Sequence, residues 1–190
     1  RRNLELTQAL SGGREGSLLS AIDRTVTAAG ARLLERRISA PSRDLALIHR
    51  RQAAVAALVE DSRLTTSLRE ALALVPDMDR ALSRLGLDRG GPRDLAAIRA
   101  GLAAADRIAA MLSGAEGLLA EAAGDLVGHD ALTGLLDQAL VAEPPLLARD
   151  GGFVAAGYDT ELDETRALRD EGRGVIARMQ ADYVAETGIA

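Results

Sequence analysis

Apolar residues recur along most of this chain at intervals of three and four, the period of a helix with one buried face. The first such stretch runs from about Ser17 to Asp23, with Leu18, Leu19 and Ile22 on one side. A second runs from about Thr27 to Ile38, with Leu33, Leu34 and Ile38 facing inward. Ala40-Pro41 stops it, because the residue before proline avoids the helical region. Ser42 is the expected cap of the next helix, whose apolar positions are Leu45, Ile48, Val55, Leu58 and Val59. Further helices are expected from Ser62 to Leu74 and from Asp77 through Leu85. Past the loop "LGLDRGGP", others run from Arg93 to Leu112, Ala115 to Leu126 and Asp130 to Val141. The last runs from about Glu161 to Thr187. Its residues Leu162, Leu168, Val175, Ile176, Met179 and Tyr183 form a seam like that of a coiled coil. At 1.5 Å per residue such a helix reaches about 40 Å, too long for its neighbours to cover.

Two stretches break the helical period. Leu4 and Leu6 alternate with polar residues, as in a short strand, and Phe153-Val154 is a β-prone pair after the turn Asp150-Gly151-Gly152. They are expected to pair as a small ribbon. The expected fold is all-α: a multi-helix bundle with a minor β-ribbon and one long projecting C-terminal helix. The bundle would take residues 1–158 and the projecting helix 159–190.

Composition narrows the core. Of the 190 residues, 47% are hydrophobic but only 2% aromatic. Such a core is built from Leu, Ala, Val and Ile, which suits closely approaching helices. There is no cysteine, so there is neither a disulfide nor a thiolate metal site. No apolar run is long enough for a membrane span, and no signal peptide is evident, which makes the cytoplasm the expected compartment. The net charge of −5 argues against a domain devoted to gripping phosphate backbones.

Candidate chemistry is sparse. The chain has no lysine, so it lacks the residue with which a P-loop reaches the β/γ-phosphates. "GRGVIA", with Gly172, Gly174 and Ala177, fits a dinucleotide-binding pattern in letters. That pattern works only directly after a strand, and here it lies inside a helical seam, where two glycines soften a helix instead. His49 and His129 have no partner at metal-ligand spacing. Asp159, Glu161, Asp163 and Glu164 cluster at the start of the last helix, where they complement the positive end of its dipole. Arg32, Arg36, Arg37, Arg43, Arg50 and Arg51 make a basic stretch. Without aromatics to stack bases, pairing with acids such as Glu35 and Asp44 is the plainer expectation. No nucleophile sits beside a base, and no catalytic residue is assigned.

Several stretches, taken in order, resemble a known family. "RRNLELTQ" is similar to the segment that opens the core, or lever, domain of MutS mismatch repair proteins. Thr27, Gly30, Arg32, Leu33 and Leu34 match a pattern in the core helices of that family. "DMDRALSRL", "RDLAAIRAGL" and "DGGFVAAGYDTELDETRAL" follow in the family's order, the last leading into its long lever helix. One departure is Ala28-Ala29, where the family usually has a larger residue, often methionine, before the glycine; this implies tighter local packing.

The resemblance implies that Arg1 is an internal residue of a longer protein and that this piece is a mechanical link without catalysis. It implies ATP and Mg for the parent protein, bound outside this piece. Mismatched DNA and MutL are the partners it implies, with the parent a homodimer. Little direct DNA binding is expected of the piece. Gly172 and Gly174 would be a compliant point in the lever. The face bearing Leu168, Val175, Met179 and Tyr183 would be partly uncovered, so that two copies of the piece could pair through it. The alternative is a free-standing helical adaptor that binds a partner helix through the same face.

Overall fold

The computed structural model of the protein describes residues 2–188. Its helices are α1 (Leu18–Ile22), α2 (Ala28–Ser39), α3 (Leu45–Glu60), α4 (Ser62–Ala73) and α5 (Met78–Gly86). They continue with α6 (Pro92–Met111), α7 (Gly117–Asp125), α8 (Asp130–Ala139) and α9 (Thr160–Thr187). Short 3₁₀ turns lie at Arg2–Leu4 and Ala148–Asp150.

Most helices start on a side chain that the sequence places there. Ser17, Thr27, Asp44, Asp61, Asp77 and Asp159 each accept a hydrogen bond from the backbone N–H three residues on. Such a cap contributes about 1 kcal/mol. The cap of α3 is Asp44 rather than Ser42. The Ser42 hydroxyl instead accepts from the Asp44 N–H at 3.2 Å and orients the capping residue. At α2 the cap explains the glycine three residues later. A Cβ on Gly30 would lie 2.8 Å from the Thr27 Oγ1 that Gly30 N–H binds. Ala28 and Ala29 are exposed, so their small size brings no tighter packing.

Helix α6 is the column of the fold. It packs against α4, α5, α7 and α8. Along one side Ile98 and Leu102 join Ala81, Leu136 and Leu140 in a buried cluster, against which Met78, Leu85 and Phe153 pack. Along the other Ile108 and Leu112 join Leu68, with Leu58, Leu64, Leu119 and Leu126 around them. Small residues set the helix spacing. Ala81 is 1% exposed, and a Cβ on Gly101 would lie 2.6 Å from Met78 Cγ, so Met78 of α5 packs where α6 carries no side chain. At the head of α6, Pro92 occupies the first helical position, where its missing N–H costs nothing. Asp94 accepts from Gly91 N–H at 3.0 Å and from the Arg84 guanidinium of α5. That carboxylate is 8% exposed, and the Arg84 hydrogen bond holds it below the usual carboxylate range.

The expected opening strand is absent. Glu5 adopts φ 45°, and the chain turns back so that Glu5 O and Leu6 O accept from Leu18 N–H and Leu19 N–H. Those bonds satisfy the first amides of α1 and cover Leu19, which is fully buried. The expected ribbon is therefore not formed. Phe153-Val154 pairs elsewhere, through a single antiparallel bridge between Leu140 and Val154.

The α1–α2 pair is latched to the body by charge. Arg32 donates to both Asp77 oxygens at 2.9 and 2.8 Å and to Asp79 at 3.2 Å. The guanidinium hydrogen bond holds the Asp77 carboxyl down at about 2. An unfolded aspartate titrates near 3.9. Because the folded value is the lower one, this latch stabilises the fold fully above about pH 4. That stabilisation is lost as pH falls toward 2. In urea titrations across pH 2–7, the parent midpoint should drop below about pH 4. Asp77→Asn should start lower at pH 7 and lose less over the acid range. Parallel acid limbs for the two proteins would refute the assignment.

Candidate functional site

No catalytic arrangement is found among the residues singled out above. His49 is exposed on α3, and His129 is exposed at the start of α8, making no side-chain capping bond. "GRGVIA" lies within α9, with no strand before it. Among the described residues no group of three or more His, Asp or Glu is placed to hold a metal ion. Without lysine the chain lacks the residue with which a P-loop reaches the β/γ-phosphates.

What the structure does build is a junction between α9 and the body. It begins on α6. Arg99, half-buried, reaches past the end of α8. Its Nη1 donates to Leu140 O at 3.2 Å, and its Nη2 donates to Val141 O at 3.2 Å and Ala142 O at 2.9 Å. Helix ends leave carbonyls without intrahelical partners, and one guanidinium supplies donors to three carbonyls just beyond α8. Asp137 lies 3.7 Å from Arg99 Nε and balances the charge.

The bridge comes next. Val141 N–H donates to Phe153 O at 3.0 Å, and Ala155 N–H donates to Ala139 O at 2.8 Å. Those two bonds use one edge of the Phe153–Ala155 segment. The Val154 carbonyl points the other way, and Arg166 of α9 donates to it at 3.0 Å. Arg166 also pairs with Asp163 at 3.1 Å. Asp163 in turn accepts from Gly157 N–H at 2.6 Å, and Asp159 caps the helix by accepting from Leu162 N–H at 2.9 Å. Of the acids at the head of α9, Asp159 thus acts as the cap and Asp163 as the partner of Arg166. Leu162 and Arg166 line an open apolar cavity of about 410 Å³ together with Phe153 and Val154.

Beyond this root α9 has little to lean on. Leu162 is half-buried, but from Ala167 to Gly188 every residue is exposed. Leu168 is 70% exposed, and Val175, Met179 and Tyr183 are also open to solvent. With 3.6 residues per turn, Leu168, Gly172, Val175, Met179 and Tyr183 share one stripe, and Gly174 falls on the opposite side. A Cβ at either glycine would meet nothing within 4 Å. The helix runs through both without interruption.

The basic stretch is divided rather than uniformly paired. Arg32 pairs with Asp77 and Asp79, and Arg50 pairs with Glu121 of α7. Glu35 is taken by Arg14, and Asp44 is used as a cap. Arg36, Arg37, Arg43 and Arg51 form no ion pair among the described residues. Sequence reading missed Arg99 and Arg166. The available signal was a charge on an otherwise apolar stripe: Arg99 lies four after Leu95 and three before Leu102, and Arg166 four after Leu162.

The comparisons with known proteins agree with one another. A family model described as MutS domain III matches residues 1–186. Relatives described as "DNA mismatch repair protein MutS" include one from Paracoccus denitrificans, 80% identical over 190 residues. One from Cereibacter sphaeroides is 70% identical over 190 residues, and one from Ruegeria pomeroyi 65% identical over 192. Each alignment takes in 100% of this chain and 22% of the relative, so the chain spans about a fifth of the length of these proteins.

Removing the Arg166 guanidinium tests the junction. Arg166→Met keeps the aliphatic stem and deletes both polar contacts. It should cost about 1 kcal/mol and speed amide exchange across residues 160–166, while residues 92–111 of α6 keep their protection. Unchanged exchange at the head of α9 would show that Arg166 does not anchor it.

Proposed function

The chain belongs to the MutS domain III family, and on that premise we propose that it is the mechanical link of a longer mismatch repair ATPase. In this reading residues 1–158 are the base and residues 159–190 the lever. The lever couples the nucleotide state of an ATPase domain elsewhere in the protein to DNA clamping and mismatch recognition by other domains. ATP and Mg bind outside this chain. Mismatched DNA and MutL are partners of the whole homodimeric protein, working in the cytoplasm. This chain contributes no catalysis of its own.

One observation carries the reading: a 28-residue helix exposed from Ala167 onward, joined to the body by a single hydrogen-bonded root. A hydrogen-bonded helix resists bending, so displacement of its far end is delivered to its root. There Arg166, Val154, Leu140 and Arg99 form a continuous path into α6. A coupling of about 1–3 kcal/mol is the usual scale for communication between sites, comparable to one or two such hydrogen bonds. Among the described residues no helix is long and apolar enough to cross a membrane, which is compatible with this setting.

The adaptor reading draws on the same exposed stripe of Leu168, Val175, Met179 and Tyr183. It differs in what surrounds the chain. An open reading frame with a mismatch domain upstream and a P-loop downstream favours the lever, and a short intact frame favours the adaptor.

The lever reading gives Gly172 and Gly174 a role as its compliant point. In a full-length relative, replacing both by alanine removes about 2 kcal/mol of local helix softness. This should alter the rate of ATP-triggered release from mismatched DNA, read by stopped-flow fluorescence. Unchanged release in a stably folded variant would remove that role. For the 190-residue chain alone, the uncovered stripe should support self-association, seen by sedimentation as a dimer weakened by Val175→Asp. A strict monomer would contradict it.

A further inference from the structure

The α3 helix presents a ridge to solvent that the junction and the lever do not use. Arg51, Val55 and Val59 lie in one i, i+4, i+8 row. Val55 is 61% and Val59 74% exposed. Two shallow apolar hollows flank this pair. One, of about 360 Å³, has Arg51 in its wall beside Val55, Ala56 and Val59. The other, of about 320 Å³, lies where α3 meets α4. Its polar rim asks for little: the Thr65 hydroxyl already donates to Leu58 O and the Thr66 hydroxyl to Ser62 O.

Charge gathers at one end of the ridge. Arg36 and Arg37 close the last turn of α2, and Arg37 is close enough to Arg51 to feel its charge. Loss of hydration, followed by repulsion from Arg51 and Arg36, pushes the Arg37 guanidinium below the usual arginine value. None of the three has a carboxylate partner among the described residues, whereas Arg32, Arg50 and Arg84 each have one. In a chain of net charge −5, these three cations are left without a carboxylate from any described residue.

We infer that the Val55–Val59 ridge, with Arg37 and Arg51 at its end, is a docking face for an acidic amphipathic helix of a partner. Apolar side chains at i and i+4 of that helix would straddle the ridge and enter the two hollows. A carboxylate about one turn further on would reach the arginine pair. Nucleic acid fits less well. Half of the face is apolar without an aromatic ring for a base to stack on, and the overall negative charge of the chain repels a phosphate backbone. The α9 helix of a second copy also fits less well, because its exposed part carries Arg169, Arg173 and Arg178 among its acids.

The test uses the 190-residue chain and a fluorescein-labelled helical peptide of about 16 residues, long enough to hold a marginal helix. Its apolar face carries Leu at i and i+4, flanked by Glu. Controls are the same peptide with Lys for Glu and a scrambled version. Anisotropy should show binding of the Glu peptide, weakened about tenfold or more by Arg37→Glu/Arg51→Glu, by Val59→Asp and by raised salt. The Lys and scrambled peptides should bind far more weakly. Circular dichroism establishes that each variant is folded. Met179→Asp/Tyr183→Asp should leave binding unchanged. The inference is overturned if the Glu peptide does not bind or the scrambled peptide binds equally. It is also overturned if binding survives loss of both arginines or is lost with the α9 variant. Equal affinity for a 20-base-pair duplex would assign the face to nucleic acid instead.

Discussion

Whatever α9 exchanges with the rest of this chain must pass through its root. The constraint follows from exposure: after Arg166 no residue of the helix is even half-buried, so packing along its length transmits nothing to the body. The root itself is polar. Arg166 holds one backbone carbonyl, Arg99 holds three, and two amides close the bridge between them. Hydrogen bonds suit this task because they are directional. A tilt of α9 lengthens or bends the Arg166–Val154 bond directly, whereas an apolar contact of the same size would slide.

The body is closely packed for a compositional reason. With aromatics at 2% of the chain, the core has no large plates to fill space, and helices must approach closely. Gly101 and Ala81 allow α5 onto α6, and Leu, Ile and Ala fill what remains. Interiors packed in this way leave few voids and resist small continuous deformations. The buried Asp94 fixes the same contact from its polar side, tying Arg84 of α5 to the first turn of α6. The α1–α2 pair lies outside this regime. Its hold on α5 is the Arg32 latch, which is exposed and therefore responsive to pH and salt.

Sequence pattern made the helices legible because their signals are local. Thr27, Asp77 and Pro92 mark starts, Pro41 and Pro76 mark stops, and apolar spacing supplies the faces. The pattern failed where a partner is distant. Leu4 and Leu6 alternate like a strand, but a strand needs a neighbour, and the nearest free donors were the first amides of α1. Phe153-Val154 has real strand character and found its partner at Leu140, just past a helix end that periodicity could not resolve to the residue. Ser42 and Asp44 are both good caps; Asp44 takes the Leu47 N–H, and Ser42 takes the N–H of Asp44. The junction was invisible for a further reason. It is made largely of backbone carbonyls, which have no letter in the sequence.

The two glycines of α9 differ in what each permits. Gly174 lies opposite the apolar stripe, so its missing side chain changes only the helix itself, removing propensity where a bend would open toward solvent. Gly172 lies within the stripe, between Leu168 and Val175–Ile176, where it leaves a notch in an otherwise continuous apolar row. A helix with no tertiary cover must hold itself by its own hydrogen bonds, and each glycine weakens it by roughly 1 kcal/mol. A bend near residues 172–174 would therefore cost less than one in any other turn of the exposed segment. Gly172 and Gly174 stand about two turns above Arg166, so the weakest part of the helix lies close to its hydrogen-bonded root.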